Sequence, residues 1–212
     1  MTFKTLSLLV AFLFLASCGK SGGGSGGSAG DAVSLDEIQS GGPVPSAALN
    51  WNVNLAMDNF NGTQTDKVSK AAELIKKVVA SEEFKDRVLN HTYKGEKTFV
   101  DNGGMSNAEI YKTIIEGSEK LRPGVDNEMD LDLEVYREAN ATVGYTYPNV
   151  IRVWMNSKFL NANKPYKVTT NMMHEWLHKL GFKHAAKKTA NRSKSVPYAV
   201  GYLVSKIASK MD

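Results

Sequence analysis

Apolar and polar residues recur with different periods along the chain, and the periods predict the elements. Residues 51–57 alternate as Trp-Asn-Val-Asn-Leu-Ala-Met, the pattern of a half-buried strand. Over 65–80 the period lengthens. Val68, Ala71, Ala72, Ile75, Val78 and Val79 fall on one face of a helix. A short helix is expected over 82–89, a strand over 97–100, and a turn at Asp101-Asn102-Gly103-Gly104. Ser106, with Glu109 three residues on, reads as a capping box that opens a helix to about Leu121, stopped by Pro123-Gly124. Met129, Leu131, Leu133 and Val135 alternate with Glu128, Asp130, Asp132 and Glu134, the clearest strand pattern in the chain. A β-branched and aromatic run over 150–155 follows the turn signal Tyr147-Pro148-Asn149. Helices are predicted over 168–180, closed by Gly181, and over 198–210. There is no internal repeat. Strands mixed with covering helices predict an α/β domain, α+β layered in character.

The first eighteen residues follow a different logic. A positive start, Met1 to Lys4, precedes an apolar run over 6–16 broken only by Ser7. This is the layout of a secretory signal, too short for the ~20 residues of a spanning helix. The run ends in Leu15-Ala16-Ser17-Cys18, which resembles the lipobox of bacterial lipoproteins. The resemblance implies cleavage before Cys18, lipid on its sulfur, and an exported lipoprotein held at the cell membrane. In a Gram-negative host, the absence of Asp after Cys18 resembles outer-membrane sorting. Residues 19–42, opening with a Gly/Ser-rich stretch, read as a flexible tether, and 43–212 as the folded domain.

Composition narrows the chemistry. The content of 42% apolar and 23% charged residues suits a globular domain, and a net charge of +4 gives no argument for nucleic acid. Cys18 is the one cysteine, so an internal disulfide and a thiolate metal site in the folded domain are both excluded. A metal site must then use carboxylates and some of the four histidines.

Three of those histidines lie in His174-Glu175-Trp176-Leu177-His178-Lys179-Leu180-Gly181-Phe182-Lys183-His184. Residues four apart stack on one helix face, so His174 and His178 present two imidazoles to one ion. Glu175 is offset by about 100° and suits a general base acting on a metal-bound water. A straight helix would carry His184 about 15 Å from His174. Gly181 supplies a left-handed helix end, after which the chain turns back and His184 completes the triad. Three protein ligands leave a fourth position open, as in catalytic zinc sites. His91 reads as a surface or capping residue. Asp126, Glu128, Asp130 and Asp132 lack the glycine and spacing of a calcium loop and read as a solvated strand face. Lys183, Lys187, Lys188, Arg192 and Lys194 read as a solvated basic loop, with attraction to acidic substrate or anionic lipid as the functional alternative.

The pattern HExxHxxGxxH over 174–184 is similar to the zinc signature of the metzincin metallopeptidases. The resemblance implies a mixed twisted sheet with an antiparallel edge strand bounding the cleft, backing helices, an active-site helix and a small C-terminal subdomain. Residues 150–155 or the acidic strand would form that edge. It further implies one catalytic Zn2+ on His174, His178 and His184, hydrolysis of a protein or peptide substrate, and Glu175 as base. Metzincins place a methionine in a turn beneath the metal. Here Ser195-Val196-Pro197-Tyr198 occupies that place, with Pro197 in the methionine's position and Tyr198 as a candidate oxyanion stabiliser. Two further readings are a hydrolase of peptidoglycan peptides and a non-catalytic zinc-binding lipoprotein.

Overall fold

The structure is a computed structural model that describes residues 32–38 and 42–212. The predicted signal, the lipobox and Cys18 lie outside the described residues. In chain order the elements are α1 (Ser46–Leu49), β1 (Asn52–Asp58), α2 (Gly62–Val79), α3 (Glu82–Leu89), α4 (Asn107–Glu116), β2 (Glu128–Tyr136), β3 (Gly144–Thr146), β4 (Arg152–Asn156), α5 (Ser157–Ala162), α6 (Pro165–Lys179) and α7 (Val196–Ala208). A single turn of 3-10 helix at Arg192–Lys194 leads into α7. Among the described residues, no helix is long and apolar enough to cross a membrane.

The fold is a layered mixed α/β structure, as the alternation of periods predicts. The sheet runs β1-β2-β4-β3, with β1, β2 and β4 parallel and β3 antiparallel to β4. Register places Leu55 beside Leu131, Met57 beside Leu133, Leu133 beside Val153, and Val135 beside Met155. These side chains share one face, which α2 and α6 cover. Leu131, Leu133, Val153 and Met155 are buried, each contributing about 1.5–3 kcal/mol by leaving water. The other face is polar. There Arg152 pairs with Asp58, Asp132 and Glu134 at 2.7, 2.7 and 2.9 Å. Helix α7 packs on α6 and α2.

Helix starts follow their caps. Asn61 with Gln64, and Ser106 with Glu109, form reciprocal capping boxes. Four expectations change. The antiparallel edge strand is β3, whereas the 150–155 run and the acidic strand are interior strands of the sheet. Three residues are too few to display an alternation, so β3 has no sequence signal of its own. The 97–100 strand reduces to a single bridge between Val100 and Ser195, because its neighbour is the approach to α7 and not a strand. Helix α4 stops at Gly117 in a left-handed conformation, before Pro123 is reached. Val33 and Ile38, within the predicted tether, are buried in the core.

Candidate metal centre

Helix α6 opens with Pro165 at its first turn, where a missing N–H costs nothing. Val168, Met172, Met173, Trp176 and Leu177 anchor it in the core. It ends as Gly181 predicts. Gly181 sits at φ 103°, its N–H donates to the His178 carbonyl at 3.1 Å, and the Phe182 N–H donates to the Leu177 carbonyl at 3.0 Å. This reversal at the helix end satisfies the last carbonyls and sends the chain back along the helix. His184 thereby returns to the first turn of the motif.

The three rings converge. His174 Nε2 lies 3.3 Å from His178 Nε2 and 3.2 Å from His184 Nε2. An ion about 2.0–2.1 Å from each of three tetrahedrally placed nitrogens requires separations of about 3.3 Å. The second ring nitrogens are occupied elsewhere. His178 Nδ1 donates to the Phe182 carbonyl at 2.8 Å and His184 Nδ1 to the Ala185 carbonyl at 3.0 Å. The His174 ring bonds to the Pro197 carbonyl. Donation from Nδ1 leaves the Nε2 lone pair free for a metal. His174, His178 and His184 thus form a group able to hold a metal ion. Burial, followed by the neighbouring rings, pushes the pKa of His174 down to about 3, and burial also lowers that of His178. Both stay neutral, as ligands must.

Glu175 is 5% exposed and lines the same cleft as the triad. Burial raises its pKa to about 7, against the opposing pull of Lys179 and of Asn171, whose Nδ2 donates to Oε1 at 3.2 Å. Asn171, Glu175 and Lys179 occupy successive i, i+4 positions. Lys179 reaches past the helix to donate to the Val150 and Arg152 carbonyls at 2.6 and 3.1 Å, and to Thr146 Oγ1. It therefore ties the loop between β3 and β4 to α6. Gly144 makes the approach of β3 to α6 feasible. A Cβ there would lie 2.7 Å from both Asn171 Oδ1 and the Trp154 carbonyl.

Tyr198 joins the site from the first turn of α7. Its ring lies 4.4 Å from the His174 ring and 4.8 Å from that of His184. The Arg192 guanidinium sits 4.8 Å from the Tyr198 ring centre. Burial raises the Tyr198 pKa, so its hydroxyl remains a donor. The cleft holds about 1170 Å³. Lys167, Arg192 and Lys206 line it, and among the described residues Glu175 is its one acidic lining residue. Arg192 forms no ion pair among the described residues. His91 stays apart from the triad, stacked on Phe99 at 3.9 Å.

Among known proteins, no family, no curated protein and no solved structure matches the chain. Sequence reasoning missed Asn171 and Lys179. Their spacing of four from Glu175 is visible, but polar residues at helical spacing are commonplace on helices and carry no chemistry by themselves.

Proposed function

We propose that the chain is a metzincin-like zinc metallopeptidase, hydrolysing peptide bonds in a cleft that favours acidic substrates. The observation that carries this reading is the triad. Three imidazoles, each fixed by a backbone carbonyl, meet at spacings that fit one tetrahedral ion, with a buried carboxylate beside them. The nitrogen-only donor set and the open fourth position favour zinc. Zinc held there supplies a Lewis acid that acidifies a bound water and polarises a carbonyl.

The chain's own residues supply the rest. Glu175 accepts the proton of the attacking water and passes it to the leaving amine. Asn171 fixes the Glu175 carboxylate from one side. The protonated Tyr198 hydroxyl donates to the oxygen on which charge develops. Arg192, Lys167 and Lys206 attract carboxylates of the substrate, a field exerted within the cleft and not only by a solvated loop. The short antiparallel edge β3, lining the cleft, offers backbone groups to an extended peptide.

The test compares the full chain with Glu175→Ala, measuring zinc content and cleavage of casein-type substrates. One zinc in each, with kcat lower by about 10²–10⁴ in the variant, is the expected result. One zinc in each and no cleavage by either favours the non-catalytic reading or a narrow cell-wall substrate, which peptidoglycan peptides then distinguish. No zinc in either protein sinks the proposal.

A further inference from the structure

Beside Trp176, three carboxylates gather whose ion pairing among the described residues is limited to Arg122 with Asp130. Glu119 stands on the turn after α4, Asp126 before β2, and Asp130 within β2. One oxygen from each lies within 4.8 Å of the others. Two oxygens bound to one calcium ion at ~2.4 Å lie at most ~4.8 Å apart, so this spacing is compatible with a shared ion. Glu119 is only 4% exposed. Its Oε1 accepts from the Asp130 N–H at 3.2 Å and from Trp176 Nε1, while its Oε2 is buried with no donor. The Asn127 side-chain oxygen is likewise buried and unpartnered. An orphaned buried oxygen needs an explanation, and a bound cation is one.

We propose that Glu119, Asp126 and Asp130 form a second metal site, specific for a hard divalent cation of the calcium type. The donor set is all oxygen, which separates it from the imidazole centre and disfavours zinc. The remaining contacts agree. Asp126 Oδ1 accepts from the Glu128 N–H at 3.0 Å, and Asp130 Oδ1 accepts from Asn54 Nδ2 at 3.1 Å. Neither contact neutralises charge. Arg122 lies 3.3 Å from Asp130 Oδ2 with a side chain 42% exposed, and Lys179, which lines the same pocket as Glu119 and Asp130, directs its ammonium to the Val150 and Arg152 carbonyls. The negative charge of Asp130 adds to the burial that raises the pKa of both Glu119 and Asp126. A cation reverses both penalties. Bound there, it would pin the 117–127 segment to β2 and, through Glu119, to Trp176 on the metal-centre helix. Three carboxylates at a partly open site suit a dissociation constant of about 10⁻⁴–10⁻³ M, the range of extracellular calcium modules.

Terbium, which substitutes for calcium and emits when excited through a nearby indole, tests this directly because Trp176 bonds to Glu119. Titration of the full chain is expected to give indole-sensitised emission that saturates at one ion per chain and that calcium displaces. Glu119→Gln and Asp126→Asn are each expected to weaken it at least tenfold, whereas Glu175→Gln leaves it intact. Calcium is expected to raise the Tm of wild type and not of the two variants. Asp126 is only partly buried, so its variant keeps the test open where Glu119→Gln fails to fold. Absence of sensitised emission overturns the site. So does emission equally strong in both variants, which signals scattered surface carboxylates only.

Discussion

Glu119 and Glu175 are both almost wholly withdrawn from water, and burial pushes the pKa of each up to about 7. Their partners separate their roles. Glu175 faces the cleft and takes a hydrogen bond from Asn171. Removing that bond in Asn171→Ala frees the proposed base to rotate. Hydrogen bonds to charged groups contribute about 1.5–3 kcal/mol, so kcat is expected to fall about ten- to a hundredfold with zinc content unchanged. An unaltered kcat removes the orienting role. Glu119 faces the core, and its titration acts on stability. A carboxyl with a raised folded-state pKa keeps its proton longer in the folded than in the unfolded chain. Its stabilising contribution is complete below the ordinary value of 4.5 and is lost as pH rises through about 7. In calcium-free buffer, the Tm of wild type should therefore drop relative to that of Glu119→Gln between those pH values. A gap between the two that stays constant with pH would mean that Glu119 titrates normally. The triad and Glu175 were legible because metal chemistry fixes both residue types and spacing. Glu119 was not, since its partners lie seven and eleven residues away across a turn that no pattern encodes.

At the scale of elements, period was a good guide and neighbourhood was not. The 51–57 and 129–135 alternations became β1 and β2 because each buries one face against α2 and α6. The 150–155 run became an interior strand, since periodicity says which face is buried but nothing of sheet order. The cleft edge depends instead on β3, a strand of three residues held in place by contacts from α6. Lys179 makes the principal one, donating to three oxygens around the β3–β4 loop. Lys179→Met keeps the apolar stem and deletes the donors. The Arg152 carbonyl keeps the Thr146 hydroxyl as donor, but leaving the Val150 carbonyl unpaired costs about 1–3 kcal/mol, so the Tm should fall. The loosened edge should raise KM severalfold while kcat changes less, because Glu175, His174 and His178 sit on the helix and His184 on the chain that follows it, none of them on the loop. A fall in Tm with both kinetic constants unmoved would reduce Lys179 to a structural clamp. The same clamp accounts for the burial of a lysine, and burial pushes its pKa down to about 8.

Considered as a whole, the molecule closes on its candidate metal centre. His174 and His178 come from α6, His184 from the reversed chain after Gly181, and α7 adds Tyr198 and the Pro197 carbonyl beneath His174. Three stretches of the C-terminal third therefore share one point. The proposed zinc ion is what makes their meeting favourable. Without it, Nε2 atoms 3.2–3.3 Å apart point lone pairs at one another, since the Nδ1 positions of His178 and His184 are already committed as donors to backbone carbonyls. Removing the ion should thus loosen α7 and the 182–195 segment more than the sheet, whose core of Leu131, Leu133, Val153 and Met155 does not involve the site. A ligand present at about a thousand times its dissociation constant stabilises the fold by about 4 kcal/mol. For a chain of this size that corresponds to a Tm lower by roughly 10 °C after chelation. Hydrogen exchange should place the lost protection in 182–208 and leave β2 and β4 unchanged. His184→Ala should sit at the chelated Tm and respond little to added zinc. If chelation leaves wild type at its original Tm, the three imidazoles are held by packing alone, and the ion is at most a passenger in a site the fold builds without it.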